Sequence, residues 1–187
     1  WGGTGGEGTL YITGNIVTPA NCFVNVTDIS GIMCDDGGKI VIDGIKIAAS
    51  TSSPNVVACI GASHSAKVTI GQNFNFAAST FGVHIFAGDE GHVVSVGNYT
   101  ISGGCLFHMA NASGCLIELN TGTVTLTGTP HWASAFCKVG LQGTIYANSV
   151  TYSGAATGVR YPLDAPAVNG ITAVGATGSA GVTVIFS

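Results

Sequence analysis

The chain has 187 residues, 46% of them hydrophobic and only 7% charged, against roughly 25% charged in an ordinary globular protein. Nine acids against five bases give a net charge of −4, which excludes the basic footprint of a nucleic-acid binder, and no apolar run reaches the roughly 18 residues that argue for membrane insertion. Low charge with 29 glycines, mostly beside short apolar runs, indicates a β-rich chain with many tight turns, because helices would need more Glu, Lys and Arg on their wet faces.

The chain begins at Trp1 with no visible signal peptide and is expected to be a processed or excised piece. Residues 1–8 form a Gly-rich lead-in. Gly3-Thr4-Gly5-Gly6-Glu7-Gly8 matches a dinucleotide-binding GxGxxG by letter, but that motif needs a helix N-terminus after it to face the pyrophosphate. Here the strand-like Leu10-Tyr11-Ile12 follows, which suits an early coil of a repeat and not a nucleotide site. No cofactor is expected.

From residue 38 onward a three-part pattern recurs. Its clearest part is apolar, polar, apolar, small, small: Ile45–Ala49, Phe74–Ala78, Tyr99–Gly103, Val124–Gly128 and Val150–Gly154, with first residues 29, 25, 25 and 26 positions apart. A shorter apolar element precedes each copy (Ile40–Ile42, Val68–Ile70, Val93-Val94, Leu116-Ile117, Ile145-Tyr146), itself preceded by Gly38, Ala66, Gly91, Gly114 or Gly143. A third apolar run follows: Val57–Ile60, Val83–Phe86, Leu106–Met109, Phe136–Val139 and Val159–Tyr161. Three short strands per repeat of this length predict an all-β fold: a single-stranded, right-handed parallel β-helix of about six to seven coils over residues 1–187. Alternation places Ile45/Ile47, Phe74/Phe76, Tyr99/Ile101, Val124/Leu126 and Val150/Tyr152 inside, stacked about 4.8 Å apart. Residues 164–187 are expected to form an irregular last coil. Neither end carries a capping helix, so a partner subunit or flanking chain is expected to cover them.

The strings "YTISGG", "VTLTGTP…AF" and "VTYSGAATGVRY" resemble the repetitive β-helix proteins associated with phage and prophage tail fibres and tail spikes, over roughly residues 38–163. The resemblance implies a virion component, often homotrimeric, located in the phage tail, or else a secreted or cell-surface protein. It implies contact with other tail proteins and a role in supporting or forming a host-recognition surface, with host polysaccharide or receptor as partner. It also implies a second reading, depolymerisation of surface polysaccharide, but supplies no catalytic motif that maps onto this chain. Ice binding is disfavoured, because the Thr123-Thr125-Thr127 run is not repeated on other coils.

Candidate chemistry lies in columns that cross the coils. Asp36, His64 and Asp89 each fall two residues before a leading Gly or Ala, flanked by Asp35 and Glu90. On successive coils, Asp36 and Asp89 would stand about 10 Å apart with His64 between them. Paired carboxylates near that separation suit inverting glycoside hydrolysis; against it, Asp is ordinary in turns, and the next coils carry Ala112 and Leu141 there. A second column, His84, His108, Lys138 and Arg160, is expected on a lateral face or subunit interface, because the base-plus-carboxylate pattern of a Ca²⁺-dependent lyase is missing: Glu118 and Asp164 fall on other turns. Five histidines without HxH or HxxxH spacing give no metal site. His131 and Trp132, after Pro130, are candidates for stacking on a glycan, with Trp132 as a core residue the alternative. The six cysteines lack any CxxC pair; an even number allows disulfides, but their places in apolar runs favour reduced core residues.

Overall fold

The computed structural model describes residues 8–52, 57–112, 114–120, 122–140, 143–147 and 150–159. The Gly-rich motif apart from Gly8, Leu141, Arg160 and the expected coil at 164–187 lie outside them. The first rung comprises β1 (Thr9–Thr13), β2 (Phe23–Thr27) and β3 (Ile32–Cys34); the second β4 (Lys39–Asp43), β5 (Lys46–Ser50) and β6 (Ala58–Ala62). The third comprises β7 (Lys67–Ile70), β8 (Phe74–Phe76) and β9 (Ser79–Ala87); the fourth β10 (His92–Ser95), β11 (Tyr99–Ile101) and β12 (Cys105–Asn111). The fifth is β13 (Leu116–Leu119), β14 (Gly122–Leu126) and β15 (His131–Lys138), and the sixth β16 (Thr144–Tyr146), β17 (Val150–Ser153) and β18 (Thr157–Gly158). Corresponding strands stack into three six-stranded sheets, A, B and C, starting from β1, β2 and β3 respectively. Every pairing between rungs is parallel. The chain is a parallel β-helix, as its repeat predicts, with six strands per sheet. Among the described residues the helical element is a single 3-10 turn at Pro19–Asn21.

The inward columns are those that alternation predicts. Ile40, Val68, Val93, Ile117 and Ile145 stack in sheet A, and Ile47, Phe76, Ile101 and Leu126 in sheet B. Nearly all are closed to solvent, and each such Ile or Phe contributes roughly 1.5–3 kcal/mol relative to exposure. All six cysteines are free thiols, and five of them are buried, Cys22 being half-buried. Burial pushes the Cys59 thiol up to about 12, so it behaves as an inert core residue.

Two parts of the pattern differ from expectation. The first coil is complete, because Phe23–Thr27 and Ile32–Cys34 pair with β5 and β6; its strands were hidden by a longer intervening loop, Thr9 pairing with Lys39 thirty positions on while His92 pairs with Leu116 twenty-four positions on. The last copy in sheet B is offset by two: Tyr152, not Val150, pairs with Val124. A slip of two preserves which side chains face inward, so the pattern alone does not reveal it. The first rung is also the most open, with Leu10, Tyr11 and Phe23 about half exposed or more, and the strands of β1, β2 and β3 end their sheets.

Candidate functional site

The corner between sheets C and A is built from tight turns stacked on consecutive rungs. Gly38, Ala66 and Gly91 donate their N–H to the carbonyls of Asp35, Ser63 and Gly88, three residues back. The two central residues of each turn all have positive φ: Asp36 and Gly37, His64 and Ser65, Asp89 and Glu90, the mark of type I′ geometry. This backbone demand explains why the corner carries Asp and His, which tolerate the left-handed region better than most residues. Rung-to-rung bonds tie the turns together, from Gly37 N–H to His64 O and from Ser65 N–H to Asp89 O.

The corner does bring His64 among acids. His64 Nδ1 lies 2.6 Å from Asp35 Oδ1, and its Nε2 lies 3.8 Å from Asp89 Oδ2; Ser65 Oγ donates to Glu90 Oε2 at 3.0 Å. The hydrogen bond to Asp35, reinforced by its charge and by Asp89 and Asp36, raises the His64 pKa, and the same bond lowers that of Asp35. Asp35, Asp36 and His64 place ligand atoms within 4.8 Å of one another. All of these side chains are exposed, so nothing there provides the burial that splits two carboxyl pKa values into an acid and a base. The grooves in the surface described below lie at the opposite corner, between sheets A and B.

The second column is divided. Lys138 is exposed, with its ammonium 5.4 Å from the centre of the Phe107 ring. His84 and His108 are not on a lateral face; both are fully buried. Strict alternation from Val83 and Ile85 would turn His84 outward, but the alternation breaks here, and the His84 ring packs into the same core as Ile85. Gly82, Val83, His84 and Ile85 are all buried, and Val83, Phe107 and Ala135 form a second apolar cluster. A bulge between Cys105 and Phe107 shifts the register as well. Glu118, the acid nearest Lys138 in sequence, is instead 2.7 Å from His92 Nε2 on sheet A.

The two buried histidines form a polar chain inside an aromatic core. His84 Nε2 lies 3.0 Å from the Ala77 carbonyl, the two Nδ1 atoms 3.1 Å apart, and Tyr99 Oη 2.9 Å from His108 Nε2. A carbonyl only accepts, so His84 carries its proton on Nε2 and accepts at Nδ1. His108 must then donate from Nδ1 and accept at Nε2, where Tyr99 donates its hydroxyl. Desolvation holds the His84 pKa down to about 3 and that of His108 well below its usual value, so both rings are neutral. Phe76, Phe136 and Trp132 pack around them. Trp132 is 5% exposed and belongs to this core, which removes it as a stacking platform for glycan. His131 beside it is exposed, its Nδ1 3.0 Å from Thr157 Oγ1. Tyr152, two rungs from Tyr99 in the same column, has a buried hydroxyl without a hydrogen-bond partner among the described residues.

The histidine spacing was legible, since His84 and His108 fall 24 positions apart in equivalent strands, but the signal for their burial lay in Tyr99 and Phe76, which only the folded rungs bring beside them. No family model matches the sequence, no curated protein matches it, and no solved structure matches the chain, so its function is argued from its own surfaces.

Proposed function

We propose that this β-helix is a structural segment of a phage tail fibre or tail spike, which supports or forms a host-binding surface as part of a homotrimer. The observation that carries this reading is the exposed acid–histidine corner: the one clustering of titratable side chains predicted for catalysis sits on a stack of solvent-exposed turns, where water screens every charge. A rigid solenoid with such a surface suits display and support. The open first rung, with Tyr11 70% and Phe23 48% exposed, is consistent with association at that end.

Native mass spectrometry tests the assembly, with three times the 18.7 kDa chain mass expected; a monomer at micromolar concentration would overturn the trimer. Incubation with capsule or lipopolysaccharide tests the depolymerase alternative. No cleavage is expected, and turnover that disappears in Asp36→Ala and Asp89→Ala would replace the structural reading with the enzymatic one.

A further inference from the structure

The corner between sheets A and B carries two adjoining grooves that the titratable residues do not use. The first, of about 540 Å³, has the loop residues Ile16, Val17 and Pro19 as an apolar wall and Asn73, Asn75 and Thr100 beneath. The second, of about 260 Å³, shares Asn73 and continues past Gln72 and Asn98 to Gly122. Together they cross from the first rung to the fifth, and no charged residue lines either one. The loop lies flat over the second rung because Gly44 has φ +62° and no side chain; a Cβ there would stand 2.6 Å from Ile16 N.

The three asparagine carboxamides along this path each have one end already tied down. Asn73 Nδ2 donates to the Ile16 carbonyl at 2.7 Å, Asn98 Oδ1 accepts from Thr123 N–H at 2.7 Å, and Asn75 Oδ1 accepts from Ser102 Oγ at 2.7 Å. The acceptors and donors therefore cannot be exchanged by rotating the amides at Asn73 and Asn98, since a carbonyl and an N–H fix them. What remains free for a ligand is Asn73 Oδ1, Asn98 Nδ2, Asn75 Nδ2 and the Thr100 hydroxyl. Fixed amides lose little rotamer freedom on binding, which favours recognition by them over that by mobile surface side chains.

We infer that this corner groove binds an uncharged, unbranched polysaccharide that runs along the solenoid axis. Neutral donors and acceptors beside an apolar wall match sugar rings, which present hydroxyls at their edges and C–H groups on their faces. A peptide adding as a strand would need an open sheet edge, whereas β8 and β11 are paired on both sides. An acidic glycan would meet no cation in the groove. The inference rests on the host-surface reading proposed above and names its ligand class.

The test uses the whole chain on a printed array of neutral and anionic bacterial glycans, followed by titration calorimetry with the best neutral oligosaccharide. Asn98→Asp and Asn75→Asp retain the anchoring Oδ1 and replace only the free donor, so the fold is kept, which circular dichroism and the melting temperature verify. Each is expected to weaken binding roughly three- to tenfold, the worth of a hydrogen bond. Binding restricted to anionic glycans or peptides, an array without signal, or affinities unchanged in both variants would overturn it. Binding of the wild-type chain to host cells that survives both substitutions would discard the groove and leave the host-surface reading standing; no binding to cells at all would sink that reading itself.

Discussion

Two sets of histidines, one in a corner turn and one in the strands of sheet C, stand on neighbouring rungs of one solenoid and behave in opposite ways. At the outer corner His64 stands in water between Asp35 and Asp89, and its charged form is favoured. Inside, His84 and His108 sit among Phe76, Tyr99, Trp132 and Phe136, and their neutral forms are favoured. The difference teaches that a stacked column of polar residues says little about chemistry until its burial is known. One side gives a solvated ion pair of small worth; the other gives a hydrogen-bonded chain whose members depend on each other.

The largest expected contrast follows from breaking each site with one substitution. His108→Ala leaves a cavity, the Tyr99 hydroxyl and His84 Nδ1 unpaired, and should cost about 3–5 kcal/mol in urea unfolding. His64→Ala should leave the urea midpoint nearly unchanged; equal losses would erase the comparison. A triple variant, His84→Leu, Tyr99→Phe and His108→Leu, removes the whole chain at once and should lose less than His108→Ala alone, because only the Ala77 carbonyl loses a partner and Ser79 Oγ still donates to it at 3.4 Å.

The pH dependence should have opposite signs. Unfolded histidine takes up a proton near pH 6.5, and folded His84 does so only at about 3, so the unfolded state binds more protons between those values. Stability then falls on acidification across that window, by up to about 1.4 kcal/mol per pH unit for each buried histidine. Urea melts at pH 7 and pH 5 should show this slope in the wild type and a shallower one in the triple variant. His64 has its pKa raised, so its contribution is present below pH 6.5 and is lost as pH rises through the folded value. An NMR titration of its ring protons should give a midpoint above 6.5, while the His84 ring should not titrate in that range.

The smallest effect concerns the backbone of the corner. Glu90 holds φ 62° without the tolerance of Asp or Asn, so Glu90→Gly should raise stability by roughly 0.5–1 kcal/mol in thermal melts, less what is lost with the Ser65 bond. A loss would mean that the Ser65–Glu90 contact outweighs the strain.

The architecture was legible because two rules sufficed for it. Period-two alternation assigned Ile47, Phe76 and Ile101 to the interior, and a repeat near 26 residues assigned them to successive rungs. The acid–histidine corner was legible for the same reason, as turn positions recur at fixed offsets from Gly38, Ala66 and Gly91. What escaped depends on features without a local signature: the loop that carries Ile16 over Gly44, the break in alternation that turns both His84 and Ile85 inward, and the partnership of Tyr99 with His108, nine residues apart. The amides of the grooved corner escaped too, since Asn73, Asn75 and Asn98 are ordinary turn and strand residues until the rungs align them.

The buried hydrogen-bond chain has a further consequence for how the coil finds its alignment. In a stack of similar strands a displacement by two residues leaves apolar groups facing inward, as the sixth rung illustrates where Tyr152 stands opposite Val124. Hydrophobic burial is therefore nearly blind to that error. The chain from Tyr99 through His108 and His84 to the Ala77 carbonyl is not blind to it, since moving the fourth rung two places along the third would break the one bond that crosses between them, His84 to His108, and strand two ring nitrogens in a dry interior. It works as a locating pin, fixing one alignment of the middle rungs from which the others can be counted.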